Sequence, residues 1–126
     1  MRKILLITYL ILFHCVLSYT QPAERRITRE EYIEMYKDDA VREMQKSGVP
    51  ASITLSQGVL ESNSGNSRLA KFANNHFGIK CKGSWTGNVI YADDDAADEC
   101  FRAYESVLES YKDHSDFLRK TFRYLF

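Results

Sequence analysis

The sequence predicts a single α+β domain that is mainly helical and carries a small β-hairpin lobe. Capping boxes at Thr28 and Ser106 each open a segment with the hydrophobic spacing of an amphipathic helix. Between these helical segments, the stretch from Phe77 to Tyr104 alternates apolar and polar residues around turn-forming glycines. The length of 126 residues fits one domain.

The first predicted helix runs from Thr28 to about Lys46 and stops at Gly48, with an apolar stripe of Ile33, Tyr36, Ala40, Val41 and Met44. A second helix starts at Pro50, which a first helical turn tolerates, and ends at Gly65. Its apolar side is predicted to be Ile53, Val59 and Leu60, whereas Gln57 and Glu61 share another face at i and i+4.

A third, short helical turn is predicted from Ser67 to Phe72, before Asn74, Asn75 and His76 break it. Three strands follow, over Phe77 to Cys81, Val89 to Tyr91 and Glu99 to Tyr104. The last predicted helix opens at Ser106 and continues to about Lys120, with one side formed by Leu108, Tyr111, Ser115 and Leu118.

The first 20 residues are predicted to be a signal peptide, which leaves a domain over residues 21–126. Arg2 and Lys3 form a basic start, and the apolar stretch from Ile4 to Leu17 is shorter than the roughly 20 residues of a membrane span. A lipoprotein anchored through Cys15 is disfavoured because bulky residues precede that cysteine. We therefore expect a secreted or periplasmic protein that has no membrane contact after cleavage.

The charge balance excludes a typical nucleic-acid binder. Removing Arg2 and Lys3 from the 17 basic residues leaves 15 against 17 acidic ones, and the two signs are interspersed along the chain. No feature of the sequence demands a partner chain or a cofactor, so we expect a monomer without either.

Two cysteines, Cys81 and Cys100, remain after the predicted leader is removed. An even number in an exported chain favours a disulfide, although two free buried thiols are the alternative. A zinc site is disfavoured because no second cysteine pair or suitably spaced histidines accompany them, so no metal is expected.

The candidate catalytic group is Glu61, at the point where an apolar helix gives way to small polar residues. The negative end of the helix dipole and a partly apolar floor would both disfavour its charged form, as suits a general acid. Asp93, Asp94 and Asp95 follow in the hairpin, where a hydrated loop is the ordinary interpretation and the spacing does not fit a calcium loop. If one of them faces Glu61, the pair has the two carboxylates that glycoside hydrolysis requires.

Aromatic and amide side chains around the predicted hairpin would suit a sugar-binding cleft. Flat rings for pyranose stacking come from Trp85, Phe77, Tyr91 and His76. Phe77 and Tyr91 are also compatible with the core, whereas Trp85, in a glycine-flanked turn, is expected to be exposed. Hydrogen bonds to hydroxyl and N-acetyl groups would come from Gln57, Asn74 and Asn75. The histidines lack a neighbouring nucleophile, so no catalytic triad is predicted.

Three runs together resemble the peptidoglycan glucosaminidase family, which includes flagellar peptidoglycan hydrolases and autolysins. They are Gln57 to Ser62 with Gly65, Asn74 to Lys80, and Phe101 to Tyr104 continuing through Leu118. The resemblance covers roughly Thr28 to Phe126 and implies a lysozyme-like fold. It also implies an endo-β-N-acetylglucosaminidase acting on the β-1,4 bonds of peptidoglycan glycan strands at the cell wall.

In this resemblance Glu61 matches the catalytic acid, Ser62 belongs to the same motif, and Asp93 to Asp95 fall where a second carboxylate is expected. Either an inverting reaction or assistance from the substrate's N-acetyl group would use Glu61 as acid. Asn63 and Ser64 replace the Gly-Trp of many relatives. The family usually continues past Phe126, so we expect a domain truncated at its C-terminus. A lytic transglycosylase or muramidase on the same fold, or an inactive wall-binding module, are the alternatives.

Overall fold

The computed structural model describes residues 24–122, and the predicted signal peptide lies outside them. The elements in chain order are α1 (Arg29–Ser47), α2 (Ala51–Glu61), α3 (Arg68–Ala73), β1 (Val89–Ala92), β2 (Glu99–Arg102) and α4 (Val107–Phe122). Helices dominate and a single two-stranded antiparallel sheet accompanies them in this part of the chain, so the predicted fold class is confirmed.

The predicted caps of α1 form as the sequence indicates. Thr28 Oγ1 accepts from the backbone N–H of Glu31 at 3.2 Å, and the Glu31 carboxylate accepts from the Thr28 N–H at 2.8 Å. Gly48 ends the helix with its N–H bonded to the Met44 carbonyl. These local bonds satisfy backbone groups that no neighbouring helical turn can reach.

The core lies where α1 packs against α2 and α4. Its centre is a hydrogen-bonded group in which the Tyr32 hydroxyl lies 2.9 Å from the Tyr111 hydroxyl and 2.8 Å from His76 Nδ1. All three side chains are almost completely buried, and Ala40 is buried on the same face of α1 as Tyr32. Because the polar tips bond to one another, these large aromatic side chains can enter the core without an unsatisfied hydroxyl.

The predicted apolar stripe of α1 is wrong in part. Ile33, Val41 and Met44 are each more than one-third exposed, whereas Tyr32 and Ala40 are fully buried. Tyr32 can be buried because its hydroxyl is hydrogen-bonded. Its ring then buries more surface than the aliphatic side chains of the predicted stripe would. The face that α1 buries is therefore rotated toward Tyr32.

The predicted apolar side of α2 is wrong for Ile53 and Leu60, which are 47% and 76% exposed. The helix instead buries small residues at positions 54, 58 and 62, one helical turn apart. A Cβ added to Gly58 would lie 2.5 Å from the Tyr32 hydroxyl oxygen, so only glycine lets α2 approach that tyrosine. The helix ends at Glu61, four residues before the predicted stop at Gly65.

The hairpin pairs β1 with β2 in antiparallel register, from Val89 opposite Arg102 to Ala92 opposite Glu99. The strand predicted over Phe77 to Cys81 is wrong, because only an isolated bridge joins Lys80 to Phe101. Gly78 adopts a left-handed φ of +60°, which interrupts extended backbone.

The Cys81–Cys100 disulfide is present, with 5.4 Å between the two Cα atoms. The N–H of Cys81 also donates to the Cys100 carbonyl at 2.9 Å. The segment before the hairpin is therefore tied covalently to β2. None of the helices within residues 24–122 combines the length and apolar character needed to cross a bilayer.

Candidate active site

Glu61 is the last residue of α2, and its exposed side chain borders two cavities. The hairpin cavity, of about 640 Å³, lies between α3 and the β1–β2 hairpin. The α4 cavity, of about 360 Å³, lies between the 77–82 segment and α4. Glu61, Phe77 and Gly78 line both cavities. A linear ligand that occupied both would therefore pass beside Glu61.

Three aspartates share the hairpin cavity with Glu61, namely Asp93, Asp94 and Asp98. Asp95 does not line this cavity, and its side chain is 88% exposed. The structure thus brings two of the three sequence-predicted hairpin acids to the same cavity as Glu61 and leaves the third in solvent. Asp98 adopts a left-handed φ of +53°. No sequence motif places it beside the site.

Lys80 organises the acidic loop. Its Nζ lies 3.0 Å from Asp94 Oδ2, 3.1 Å from Asp95 Oδ2 and 2.9 Å from Glu99 Oε2. Hydrogen bonds to Glu99, Asp94 and Asp95 raise the pKa of Lys80, which keeps the amine charged. Three carboxylates of this kind would suit a hard cation. The Lys80 ammonium already lies among them and neutralises part of their charge.

Asp93 differs from Asp94 in its partners. The Asp98 N–H donates to Asp93 Oδ1 at 3.0 Å, and Asp93 forms no ion pair with any residue from 24 to 122. Asp94, by contrast, is bound to Lys80. Asp93 is therefore a positioned carboxylate on the cavity wall whose charge no described cation neutralises.

Phe77 lines both cavities, and the His114 ring stacks against the Phe77 ring. The ring centroids lie 3.9 Å apart with 12° between the planes. Burial lowers the pKa of His114 to about 4, despite the nearby Asp113 carboxylate, so the imidazole is neutral at neutral pH. The floor of the α4 cavity is consequently an uncharged aromatic stack.

Gln57, which the sequence predicts to lie in a sugar-binding cleft, lines the α4 cavity. Its Oε1 atom is buried and has no hydrogen-bond partner among the described residues, and the same holds for His114 Nδ1. Buried polar atoms of native proteins are nearly always bonded, so unpartnered ones beside a cavity are unusual.

Four other predicted substrate-binding residues bond within the protein instead of lining either cavity. Ser62 Oγ donates to the Gly58 carbonyl and accepts from the Gly65 N–H. Asn74 caps α3 and donates to the Tyr104 carbonyl. Asn75 and His76 are buried and are committed to backbone groups and to Tyr32, respectively.

Trp85 lies outside both cavities. Its ring packs 4.8 Å from the Arg102 guanidinium and 5.7 Å from the Tyr104 ring, and its Nε1 donates to the Asn88 carbonyl. The half-buried indole thus packs at the end of the hairpin where β1 begins and β2 ends. The sequence predicts exposure because Trp85 lies in a glycine-flanked turn. The arginine that covers it is remote in sequence, so the turn alone does not reveal this contact.

Several residues around the cavities went unpredicted. Arg68 donates to the Tyr91 carbonyl at 2.7 Å and joins α3 to the hairpin. Phe117 lines the α4 cavity and remains 59% exposed. Arg68 belongs to none of the runs that carry the family resemblance. Phe117 lies within the third run, but its place at the cavity becomes visible only in the folded arrangement.

A mainly helical domain with a hairpin lobe, and a carboxylate at a helix end shared by two cavities, defines the lysozyme-like class of domains. The chain belongs to the glucosaminidase family, described as mannosyl-glycoprotein endo-beta-N-acetylglucosaminidase, which matches it over residues 37–125. The expected family and fold are therefore confirmed.

Three known proteins illustrate this similarity. Exo-glucosaminidase LytG of Bacillus subtilis is 33% identical over 89% of this chain and 44% of its own length. The glycoside hydrolase domain of Salmonella typhimurium FlgJ superposes with a TM-score of 0.68 at 28% identity, covering 78% of this chain and 65% of that one. A peptidoglycan hydrolase from Sphingomonas sp. A1 has a TM-score of 0.64 at 29% identity, covering 73% and 62%. The chain spans less than half the length of the curated relatives it matches.

Proposed function

We propose that this protein is a peptidoglycan hydrolase, an endo-β-N-acetylglucosaminidase that cuts β-1,4 bonds within glycan strands. Family membership and the likeness to a glucosaminidase and to peptidoglycan hydrolases support the substrate class. The observation that carries the proposal is the position of Glu61 between two cavities.

The two cavities favour cutting inside a strand. An enzyme that removes terminal sugars closes its cleft one sugar beyond the broken bond, whereas an enzyme that cuts within a strand needs room for the chain to continue on both sides. Here a glycan chain has room on both sides of Glu61, in the hairpin cavity and in the α4 cavity. We therefore assign endo-acting cleavage, although the relative LytG is described as an exo-glucosaminidase.

In the proposed reaction, Glu61 transfers its proton to the glycosidic oxygen between the two sugars. The bond from the anomeric carbon to that oxygen then breaks, and positive charge develops on the anomeric carbon and the ring oxygen. Water attacks the anomeric carbon and loses a proton to a base, which leaves a new reducing end.

We assign the base to Asp93. It lines the cavity that contains Glu61, its Oδ1 accepts from the Asp98 N–H, and no described cation pairs with it. Asp94 is less suited because Lys80 Nζ, 3.0 Å from its Oδ2, would compete with the incoming water for that carboxylate. The competing route, in which the substrate's acetamido group replaces the base, would need Glu61 but not Asp93.

We also propose that the protein acts outside the cytoplasm, as a monomer at the cell wall, after removal of residues 1–20. The basic start and short apolar stretch of the sequence support export. The disulfide supports an oxidising compartment, where such bonds persist.

Product analysis tests the assignment. The purified protein is incubated with cell-wall glycan, and the released fragments are reduced and examined by mass spectrometry. The proposal expects N-acetylglucosamine at the new reducing ends. Reducing muramic acid ends would instead indicate a muramidase, and anhydro ends a lytic transglycosylase. Sedimentation with the wall without any release would indicate a binding module.

A further inference from the structure

We propose that the α4 cavity binds the glycan sugar whose side arm carries a carboxylate, with Lys82 as its ion-pair partner, while the hairpin cavity binds the uncharged sugar. This inference rests on the proposed function, since it assigns the two kinds of peptidoglycan sugar to the two sides of Glu61.

The two cavities differ in charge. The hairpin cavity is lined by three aspartates in addition to Glu61 and by one cation, Arg68. Its carboxylates outnumber its cation four to one, so another carboxylate placed there would be repelled. The α4 cavity is lined by Lys80, Lys82 and Arg102, and Glu61 is its one lining carboxylate among the described residues. A negatively charged side arm is therefore favoured on the α4 side.

Two of these three cations are already committed. Lys80 contacts Asp94, Asp95 and Glu99. Arg102 donates to Asp113 Oδ2 at 2.8 Å.

Lys82 is exposed, and its ammonium has no hydrogen bond or ion pair with any of residues 24–122. Within the described chain, it is the cation at this cavity that remains available to a ligand.

The floor of the same cavity carries unused neutral groups. His114 is 6% exposed, lines the cavity, and makes no side-chain hydrogen bond with the described residues. Gln57 lies beside it with an unpartnered Oε1. An amide and a neutral imidazole suit the hydroxyl and acetamido groups of an amino sugar. The α4 cavity thus offers neutral polar groups for the sugar and, for its charged arm, an ammonium that has no partner in the described part of the chain.

Two sources could supply the carboxylate. In peptidoglycan it belongs either to the lactyl ether of muramic acid, once its peptide is removed, or to the peptide attached there. Both place negative charge on the arm of the same sugar. The test therefore includes strands with peptides, strands from which peptides have been removed, and neutral chitin oligosaccharides.

Binding is measured in the Glu61→Gln background so that no ligand is consumed. We expect Lys82→Ala to weaken binding of a carboxylate-bearing strand about 3-fold, in the range of exposed ion pairs, and to leave chitin oligosaccharide binding unchanged. Lys82→Arg should restore the affinity, and added salt should reduce the difference. Lys120→Ala is the matched control, because Lys120 is exposed on α4 and lines neither cavity.

A loss confined to peptide-free strands assigns the lactyl carboxylate, and a loss confined to peptide-bearing strands assigns the peptide. Equal weakening for chitin oligosaccharides, or no weakening for either charged strand, overturns the inference. Failure of the proposed function would look different: the unsubstituted protein would release no reducing ends, whatever Lys82 contributes to binding.

Discussion

The ring of His114 lies flat on the ring of Phe77, with 3.9 Å between their centroids. This contact joins α4 to a residue that lines both cavities. His114 therefore belongs both to the core of the domain and to the floor of the α4 cavity, so its protonation state bears on stability as well as on the site.

Acid should destabilise the fold through its two buried histidines. Burial lowers the pKa of both His76 and His114 to about 4 from 6.5. Between those values the unfolded chain binds protons that the folded chain does not, so stability is complete above about pH 6.5 and falls toward pH 4. We expect a loss of about 2 to 3 kcal/mol for each histidine. Denaturant unfolding measured from pH 7 to pH 4.5 checks this.

His76→Gln and His114→Gln are the matching variants for this pH experiment. Each should reduce the dependence of unfolding free energy on pH, because glutamine cannot take up the proton. If both variants keep the slope of the unsubstituted protein, other groups are responsible for the acid sensitivity.

Gly58→Ala should destabilise the domain by about 1 to 3 kcal/mol, the usual cost of overpacking a core. The added Cβ would lie 2.5 Å from the Tyr32 hydroxyl oxygen, which is bonded to Tyr111 and His76. Ser56→Ala, at an exposed position of the same helix, is the control and should change stability little. An unchanged melting temperature for Gly58→Ala would contradict the packing of α2 against α1.

Removal of the disulfide should cost about 3 kcal/mol, as expected for a closed loop of this length. The Cys81→Ser/Cys100→Ser variant, compared with the oxidised protein in denaturant, gives the difference. Two titratable thiols in the oxidised, denatured domain after residue 20 would show that the bond does not form in the protein.

The hairpin aspartates should differ in their effect on activity. Asp93→Asn should lower the rate of glycan hydrolysis by roughly 100-fold or more, because it removes the proposed base. Asp95→Asn should have little effect, since that side chain is exposed outside the hairpin cavity. The rate of reducing-end release measures both. A nearly full rate for Asp93→Asn would instead support assistance from the substrate's acetamido group.

Local signals were the most predictable part of the fold. The caps of α1 and the turn after α3 depend on side chains bonded to backbone a few residues away, so the sequence shows them directly. The buried face of α1 depends on Tyr32 meeting Tyr111, a residue remote in sequence. The predicted strand over Phe77 to Cys81 failed for a different, local reason, because the Asn75 side chain bonds to both the N–H and the carbonyl of Ile79 and so takes the place of a strand partner.

The candidate site was predictable where motif and position coincide. Glu61 lies at the end of α2, and two of the predicted hairpin aspartates line the same cavity. The different positions of Asp93 and Asp95 could not be predicted, because the two residues are identical and lie in the same acidic run. Only the loop conformation and the contact with Lys80 direct one side chain to the cavity and the other to solvent. That Lys82 is the cation left available at the α4 cavity, within residues 24–122, likewise becomes visible only after the partners of Lys80 and Arg102 are known.

The rate at which the Glu61→Gln variant releases reducing ends from purified cell wall tests the role of Glu61 as the catalytic acid most directly. Glutamine keeps the shape of the side chain but has no proton to donate, so we predict a loss of at least about 100-fold. The melting temperature should stay nearly the same because the side chain is exposed. Release at the unsubstituted rate by a folded Glu61→Gln variant would contradict the assignment of Glu61 as the catalytic acid.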